Sequence, residues 1–126
     1  MSECLPKDAR VRKRREYLEL QKGRRLVSAH FVFFVQKREP SEAEPAPRSR
    51  LGLIVSRKVG NAIARNRVKR RSRELFRRFH HELMDPGWDC VALARAGAAE
   101  VTLETMHYEW RRALSKLRRG PEHSRA

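Results

Sequence analysis

Basic side chains are concentrated between residues 57 and 77, where Glu74 is the single negative charge. The residues of this stretch that could contact a polyanion are Arg57, Lys58, Arg65, Asn66, Arg67, Lys69, Arg70, Arg73 and Arg77. Like charges three or four residues apart on a helix destabilise it by about 0.2–0.5 kcal/mol per pair, so a solvated helix usually mixes both signs. A solvated surface is the common explanation for a charged helix, but this pattern favours contact with a polyanion.

An apolar strand, a turn and a long helix must position these residues. Leu51 to Ser56 is mostly apolar and predicts a strand that is buried on at least one face. In the turn that follows, Gly60 tolerates a positive φ, and Asn61 can cap the free N–H groups of a helix that begins near Ala62. That helix carries one apolar stripe at steps of three and four residues, which predicts packing against a sheet. The stripe consists of Val68, Ser72, Leu75, Phe76, Phe79 and Leu83.

The chain before this unit predicts a helix and two strands. Residues 10–22 have a helical pattern that ends at Gly23. Residues 26–37 predict a short strand followed by a central strand whose side chains alternate between two faces. The two faces carry Phe31, Phe33 and Val35 on one side and Val32, Phe34 and Gln36 on the other. Residues 38–50 are rich in Pro, Glu and Ser, so we expect a flexible connection without chemistry.

The chain after the long helix predicts a strand over residues 88–95 and a final helix. Thr102 can cap that helix. Its apolar positions are Leu103, Met106, Trp110, Ala113, Leu114 and Leu117. We therefore expect one domain over residues 10–119, between a flexible segment at 1–9 and a flexible tail at 120–126.

The net charge points to nucleic acid as the partner. Thirty Lys and Arg against fifteen Asp and Glu give a formal charge of +15, which attracts polyanions over long range and by counterion release. An anionic membrane would also attract this charge, but the longest apolar runs, such as Phe31 to Val35, are far too short to span one. We expect no secretory signal at the start of the chain, and Cys4 and Cys90 are too few for a disulfide framework or a zinc site. We expect free thiols and a cytoplasmic location.

The sequence offers no group of residues suited to cutting a phosphodiester. A protein nuclease needs acid and base groups, often paired carboxylates that hold Mg²⁺, whereas the acids here are scattered outside the cationic stretch. His80 and His81 are adjacent, so on a helix they point in different directions, and the other histidines are isolated. We therefore predict no catalytic and no metal-binding residue in the protein, and expect a bound partner to supply the chemistry.

Two runs of residues resemble a known signature. Ser56 to Ala62, SRKVGNA, followed by Arg65 to Arg70, RNRVKR, is similar to the motif of the bacterial ribonuclease P protein subunit. Looser similarity covers most of the chain. The resemblance implies an α+β fold, an α/β sandwich of order αβββαβα like domain 2 of ribosomal protein S5. Its four-stranded, mostly antiparallel sheet would contain a left-handed βαβ crossover, although such crossovers are generally right-handed.

The resemblance also implies a function. A large RNA subunit would be the catalyst, and the protein would bind it together with precursor tRNA, promoting removal of the 5′ leader by Mg²⁺ held mainly by the RNA. No membrane and no small-molecule cofactor would take part. The residues implied for RNA binding are Arg57, Lys58, Asn61, Arg65, Asn66, Arg67, Lys69, Arg70 and Arg73, and those implied for the 5′ leader are Arg14, Tyr17, Phe34 and Ser56.

Alternatives exist at two levels. Tyr17 and Phe34 could stack on unpaired bases or simply pack in the core, which is the commoner role of aromatic residues.

A basic ribosomal-type RNA-binding protein would share the composition but not the SRKVGN run. A sequence-specific DNA-binding protein would need a recognition helix with side chains suited to base edges, whereas this helix carries cations suited to phosphates.

Overall fold

The fold was obtained as a computed structural model, which describes residues 9–11 and 13–117 of the 126-residue chain. In the described residues, three helices and four strands follow one another in the predicted order αβββαβα. They are α1 (Arg14–Leu20), β1 (Arg24–Val27), β2 (Phe31–Lys37), β3 (Arg50–Ile54), α2 (Ala62–Leu83), β4 (Trp88–Ala94) and α3 (Leu103–Leu114), with a 3₁₀ turn at Ala98–Glu100. The predicted tail at 120–126 and nearly all of the predicted segment at 1–9 lie outside the described residues.

The strands form a four-stranded sheet of order β1-β2-β4-β3. β2 pairs antiparallel with β1 and β4, and β3 pairs parallel with β4. α2 therefore crosses over between two parallel neighbours, as the predicted βαβ unit requires. The mostly antiparallel sheet is confirmed, and the left hand of the crossover stays a prediction.

The main core lies between one face of the sheet and the two long helices α2 and α3. Trp110 of α3 makes edge-to-face contacts with Phe31 and Phe33, at centroid distances of 5.4 and 5.2 Å. The predicted stripe of α2 is buried here, with Phe79 partly buried at its margin. The predicted alternation of β2 is confirmed as well, because Phe31, Phe33 and Val35 all belong to this core.

A buried carboxylate on α3 holds the turn between β1 and β2. Glu109 is 9% exposed, and its Oε1 accepts hydrogen bonds from Ser28 Oγ and the backbone N–H of His30, both at 3.0 Å. Its Oε2 lies 2.6 Å from Nδ1 of His30. The contact ties the final helix to the first hairpin.

α1 covers part of the opposite face of the sheet, and it is shorter than predicted. We expected a helix over residues 10–22, but α1 spans Arg14–Leu20. The preceding backbone is extended because it pairs with β3: Arg10 forms a parallel bridge with Leu51, and the N–H of Val11 donates to the carbonyl of Leu51 at 2.9 Å. Pairing with the open edge of β3 satisfies these backbone groups in place of a helical turn.

The junction between β3 and α2 agrees closely with the prediction. β3 ends at Ile54, two residues early, because the next residues turn: the N–H of Val59 donates to the carbonyl of Ser56 at 3.1 Å. α2 begins at Ala62, as predicted, and Asn61 Oδ1 accepts a hydrogen bond from Ala64 N at 2.9 Å. The predicted cap of α3 is also present, since Thr102 accepts from the N–H of Thr105.

The connection between β2 and β3 is attached to the domain at several points. Pro47 and Ser49 are buried, Ser49 Oγ donates to the carbonyl of Asp85 at 3.0 Å, and the N–H of Arg38 donates to the carbonyl of Gly87 at 2.8 Å. We predicted a connection over residues 38–50, but β3 already begins at Arg50. Within the described part of the chain, none of the helices has the length and apolar character needed to cross a membrane.

Candidate nucleic-acid-binding surface

The turn between β3 and α2 projects the first predicted RNA-binding residues into solvent. Arg57, Lys58 and Asn61 are all exposed. Gly60 has φ +148, and a Cβ there would lie 2.9 Å from Cβ of Ala64. Both the backbone angle and the close approach of the helix therefore require glycine at this position.

The predicted cations of α2 differ in how they are placed. Asn66 and Arg70 are exposed, whereas Arg65, Lys69 and Arg73 are half-buried. Lys69 and Arg73, one helical turn apart, line a cleft of about 120 Å³ whose other walls include Tyr17. The structure thus brings together the cationic helix and the predicted leader-binding aromatic residue, although they are about fifty residues apart in sequence.

Some arginines of α2 are engaged within the protein. Arg71 Nη1 donates to the carbonyl of Val101 at 2.6 Å, and Arg67 Nη1 approaches the carbonyl of Ala99 at 3.4 Å. Both therefore hold the chain before α3 against α2. Sequence reasoning assigned Arg67 to RNA and overlooked Arg71. The spacing of four residues between them indicates a common side of the helix, but nothing in the sequence indicates that this side faces backbone carbonyls.

Tyr17 lies against β3 and is anchored there through its hydroxyl group. The hydroxyl donates to the carbonyl of Val11 at 3.1 Å and accepts from the N–H of Leu53 at 3.3 Å. A Cβ at position 52 would lie 2.9 Å from Cε1 of Tyr17, so the ring can lie this close to the strand because residue 52 is glycine. The ring is half-buried, which leaves part of it accessible to a ligand.

Phe34 lies in the same small apolar cluster as Tyr17, on the α1 face of the sheet. It is half-buried, and it is aligned with Val91 and Gly52 across the neighbouring strands. The two predicted stacking residues are therefore close together. We call the space between α1 and this face of the sheet the groove. Arg14, at the start of α1, and Ser56, after β3, are exposed.

One end of the groove contains a network of ion pairs that the sequence did not reveal. Arg50 donates through Nε and Nη2 to the two oxygens of Asp89, at 3.0 and 2.7 Å, and through Nη1 to Glu16 of α1 at 3.1 Å. The hydrogen bond to Asp89, reinforced by its charge and by Glu16, raises the pKa of Arg50 against the opposing effect of burial. Arg50 therefore stays protonated and joins α1 to both parallel strands.

Arg38 extends this network into the connection between β2 and β3. Its Nη1 donates to Glu44 at 2.7 Å, and its Nη2 contacts the carbonyl of Arg48. Its Nε lies 3.1 Å from Asp89 Oδ1 but outside hydrogen-bonding geometry, so that contact is Coulombic. We call Glu16, Arg38, Glu44, Arg50 and Asp89 the ion-pair network.

Two other titratable groups of the described residues, Cys90 and His107, lie outside the ion-pair network. Cys90 is a free thiol, as predicted, and burial raises its pKa, so it is poorly reactive; Cys4 lies outside the described residues. His107 stacks on Phe79 at 4.0 Å and lies 2.6 Å from Glu82. In residues 9–11 and 13–117, no three His, Cys, Asp or Glu side chains are grouped as a metal site would require.

A mixed four-stranded sheet with a cationic helix beside a half-buried aromatic groove defines a basic α+β protein of the kind that binds polyanions. The family model described as Ribonuclease P matches residues 5–118. The ribonuclease P protein component of Desulfovibrio desulfuricans is 44% identical over 101 residues, which are 79% of this chain and 74% of the relative. The chain belongs to the ribonuclease P protein family, the protein components of a tRNA-processing endonuclease.

Solved structures show the same fold. The ribonuclease P protein of Thermotoga maritima is 33% identical with a TM-score of 0.72, covering 85% of this chain and 96% of that one. A mutant of the Staphylococcus aureus protein with defective mRNA degradation activity is 26% identical with a TM-score of 0.74, covering 89% of this chain and 90% of that one. The resemblance identified from the SRKVGNA and RNRVKR runs is thereby confirmed.

Proposed function

We propose that this protein binds the catalytic RNA of ribonuclease P and the 5′ leader of precursor tRNA, and so promotes Mg²⁺-dependent removal of the leader to give the mature 5′ end. One observation carries the proposal: Lys69 and Arg73 of the cationic helix share a cleft with Tyr17 of the groove. A strand of RNA crossing that cleft would meet cations on one side and an aromatic ring on the other, which is the combination that single-stranded nucleic acid requires.

The cationic side of the surface neutralises phosphates. The residues assigned to RNA contact are Arg57, Lys58, Asn61, Arg65, Asn66, Arg67, Lys69, Arg70 and Arg73. Of these, Asn61 also caps α2, and Arg67 also lies 3.4 Å from the carbonyl of Ala99. Contacts of this kind release counterions from RNA and make binding strongly dependent on salt. Asn66 is exposed and uncharged, so we assign it a hydrogen bond to RNA or to water that hydrates a metal near a phosphate.

The groove binds the leader. Tyr17 and Phe34 offer ring faces to unpaired bases, and Arg14 and Ser56, exposed on α1 and after β3, provide polar contacts nearby. Because mature tRNA has lost its leader, this part of the surface favours the precursor over the product. Precursor tRNA is made in the bacterial cytoplasm, and the same proposal places the protein there.

The bond cleavage is assigned to the RNA subunit, with Mg²⁺ held mainly by RNA. The acids that lie close to arginine in the groove, Glu16 and Asp89, are engaged in ion pairs, and the cationic side of α2 is the part that meets phosphates. The competing hypothesis is a nuclease activity of the protein itself, since the S. aureus relative is described in terms of mRNA degradation.

The test is to add the purified protein to a bacterial ribonuclease P RNA at low Mg²⁺ and to follow cleavage of precursor tRNA. We expect the protein to increase cleavage most at low Mg²⁺, where its cations replace missing counterions, and to cleave neither precursor tRNA nor mRNA by itself. Binding of the RNA without faster cleavage would favour a ribosomal-type RNA-binding protein. Metal-dependent cleavage by protein freed of RNA would overturn the assignment of catalysis to the RNA.

A further inference from the structure

We infer that the ion-pair network closes one end of the groove to RNA and thereby sets how much of the leader the protein contacts. The inference rests on the proposed function, because it assumes that the leader lies in the groove. It assigns a role in substrate recognition to Glu44 of the network and to Glu19, which lines the cleft beside the network, and both residues lie outside the motifs that identify the family.

The floor of the groove changes character along the strands. The strand register aligns three rows of side chains on the α1 face: Val32, Leu93 and Ile54, then Phe34, Val91 and Gly52, then Gln36, Asp89 and Arg50. At about 3.3 Å per residue, these rows span about 13 Å. The floor is therefore apolar at one end, aromatic in the middle and charged at the other end.

The apolar end adjoins the cationic turn. Residues 55–60, which follow β3, include Arg57 and Lys58 and no carboxylate. A leader that enters the groove from the motif at the start of α2 passes this turn first and the aromatic row next. Both regions favour RNA, because the turn attracts phosphates and the aromatic rings can stack on bases.

The charged end of the groove has room for RNA, but its positive and negative side chains cancel, so it does not attract phosphates. A cleft of about 370 Å³ opens there between α1 and the sheet, and its lining contains three arginines and three carboxylates. They are Arg15, Arg38, Arg50, Glu16, Glu19 and Asp89. The formal charge of this cleft is zero in a molecule of net charge +15.

Two of the three arginines are already engaged. Arg50 is held by Asp89 and Glu16, and Arg38 is held by Glu44 and the carbonyl of Arg48. Their side chains are only 18% and 23% exposed. A phosphate reaching Arg38 or Arg50 would have to displace a carboxylate from a guanidinium group. The third arginine, Arg15, is exposed, but a phosphate there would approach the carboxylates of Glu16 and Glu19 in the same cleft, and the exposed carboxylate of Glu44 lies against Arg38. Nucleotides that reach this end therefore add no affinity.

The experiment measures binding of precursor tRNAs to the complex of protein and catalytic RNA, with leaders lengthened one nucleotide at a time. In the unaltered protein, affinity should rise with leader length and then stop rising. In the double variant Glu19→Gln, Glu44→Gln, two negative charges are removed and Arg38 loses its ion pair with Glu44, while its contacts with Arg48 and the buried Asp89 are untouched. Affinity should then continue to rise, so that long leaders bind about three- to tenfold more tightly than to the unaltered protein.

The matched control is Glu82→Gln, Glu104→Gln, which makes the same change in net charge at exposed positions of α2 and α3. It should change affinity equally at every leader length. The inference is overturned if the Glu19, Glu44 variant stops gaining affinity at the same length as the unaltered protein although the leader still contributes. If precursor and mature tRNA bind equally well to the unaltered protein, the proposal that the groove binds the leader is wrong. The single variant Glu19→Gln repeats the test should the double variant unfold.

Discussion

The charged end of the groove and the outer side of α2 are both rich in arginine, yet Arg50 at the charged end and Arg70 on α2 are placed in opposite ways. Arg50 has carboxylate partners on two sides and is largely shielded from solvent, whereas Arg70 is exposed on the helix. The comparison shows that net charge does not measure how many arginines are exposed to solvent and without a buried carboxylate partner. An arginine held by buried carboxylates maintains the structure, and an exposed one on a surface of like charge is available to phosphates.

The largest effect should follow from removing Asp89. Asp89→Ala leaves Arg50 and Arg38 without their shared carboxylate in a largely buried site, so the free energy of unfolding should fall by about 3 kcal/mol. Urea denaturation measures the loss. Arg70→Ala is the control, and it should change stability by less than about 0.5 kcal/mol because its side chain is exposed. Equal losses in the two variants would show that the two regions do not differ in the way we describe.

Two substitutions of Tyr17 should distinguish the role of its hydroxyl group, which anchors the side chain to the protein, from the role of its ring, which is proposed to stack on a base. Tyr17→Ala removes the ring and should weaken binding of precursor tRNA by about 1–3 kcal/mol, with little effect on mature tRNA. Tyr17→Phe keeps the ring but loses the hydrogen bonds to Val11 and Leu53, so it should cost about 1 kcal/mol of stability and preserve the preference for precursor. If Tyr17→Ala weakened both ligands equally, packing in the core would be the main role of the ring.

The smallest effects should appear in the salt dependence of RNA binding. Arg70→Ala should reduce the slope of log K against log salt by about 0.7–0.9, the value of one phosphate contact. Arg71→Ala should leave the slope unchanged and lower stability instead, because Arg71 donates to the carbonyl of Val101. Asn66→Ala should leave the slope unchanged and reduce cleavage or the Mg²⁺ affinity of the complex. If Arg70→Ala also left the slope unchanged, Arg70 would not contact a phosphate.

Sequence patterns were sufficient where the determining interactions are local. The start of α2 depends on Gly60, Asn61 and Ala64, which lie within one turn of one another, and the prediction of this boundary was correct. The predicted start of α1 was wrong because the true start depends on a strand about forty residues away. In that strand, Leu51 accepts a hydrogen bond from the N–H of Val11.

The ion-pair network was missed for the same reason. Arg50 is 34 residues from Glu16 and 39 residues from Asp89, and no periodicity connects them. Arg67 and Arg71 show a related limit. Their spacing reveals a shared side of the helix, but only the folded chain shows that this side meets the carbonyls of Ala99 and Val101.

The position of Glu109 has a consequence for how the protein is made. Its carboxylate bonds Ser28 and His30, which are 81 and 79 residues earlier in the chain. During synthesis the first hairpin leaves the ribosome long before its partner on α3 exists, and a contact of such high sequence separation forms late. The hairpin at the edge of the sheet should therefore remain unsecured until α3 has left the ribosome, so that ribosome-bound chains stopped before Glu109 are cut by proteases in the hairpin while released chains resist.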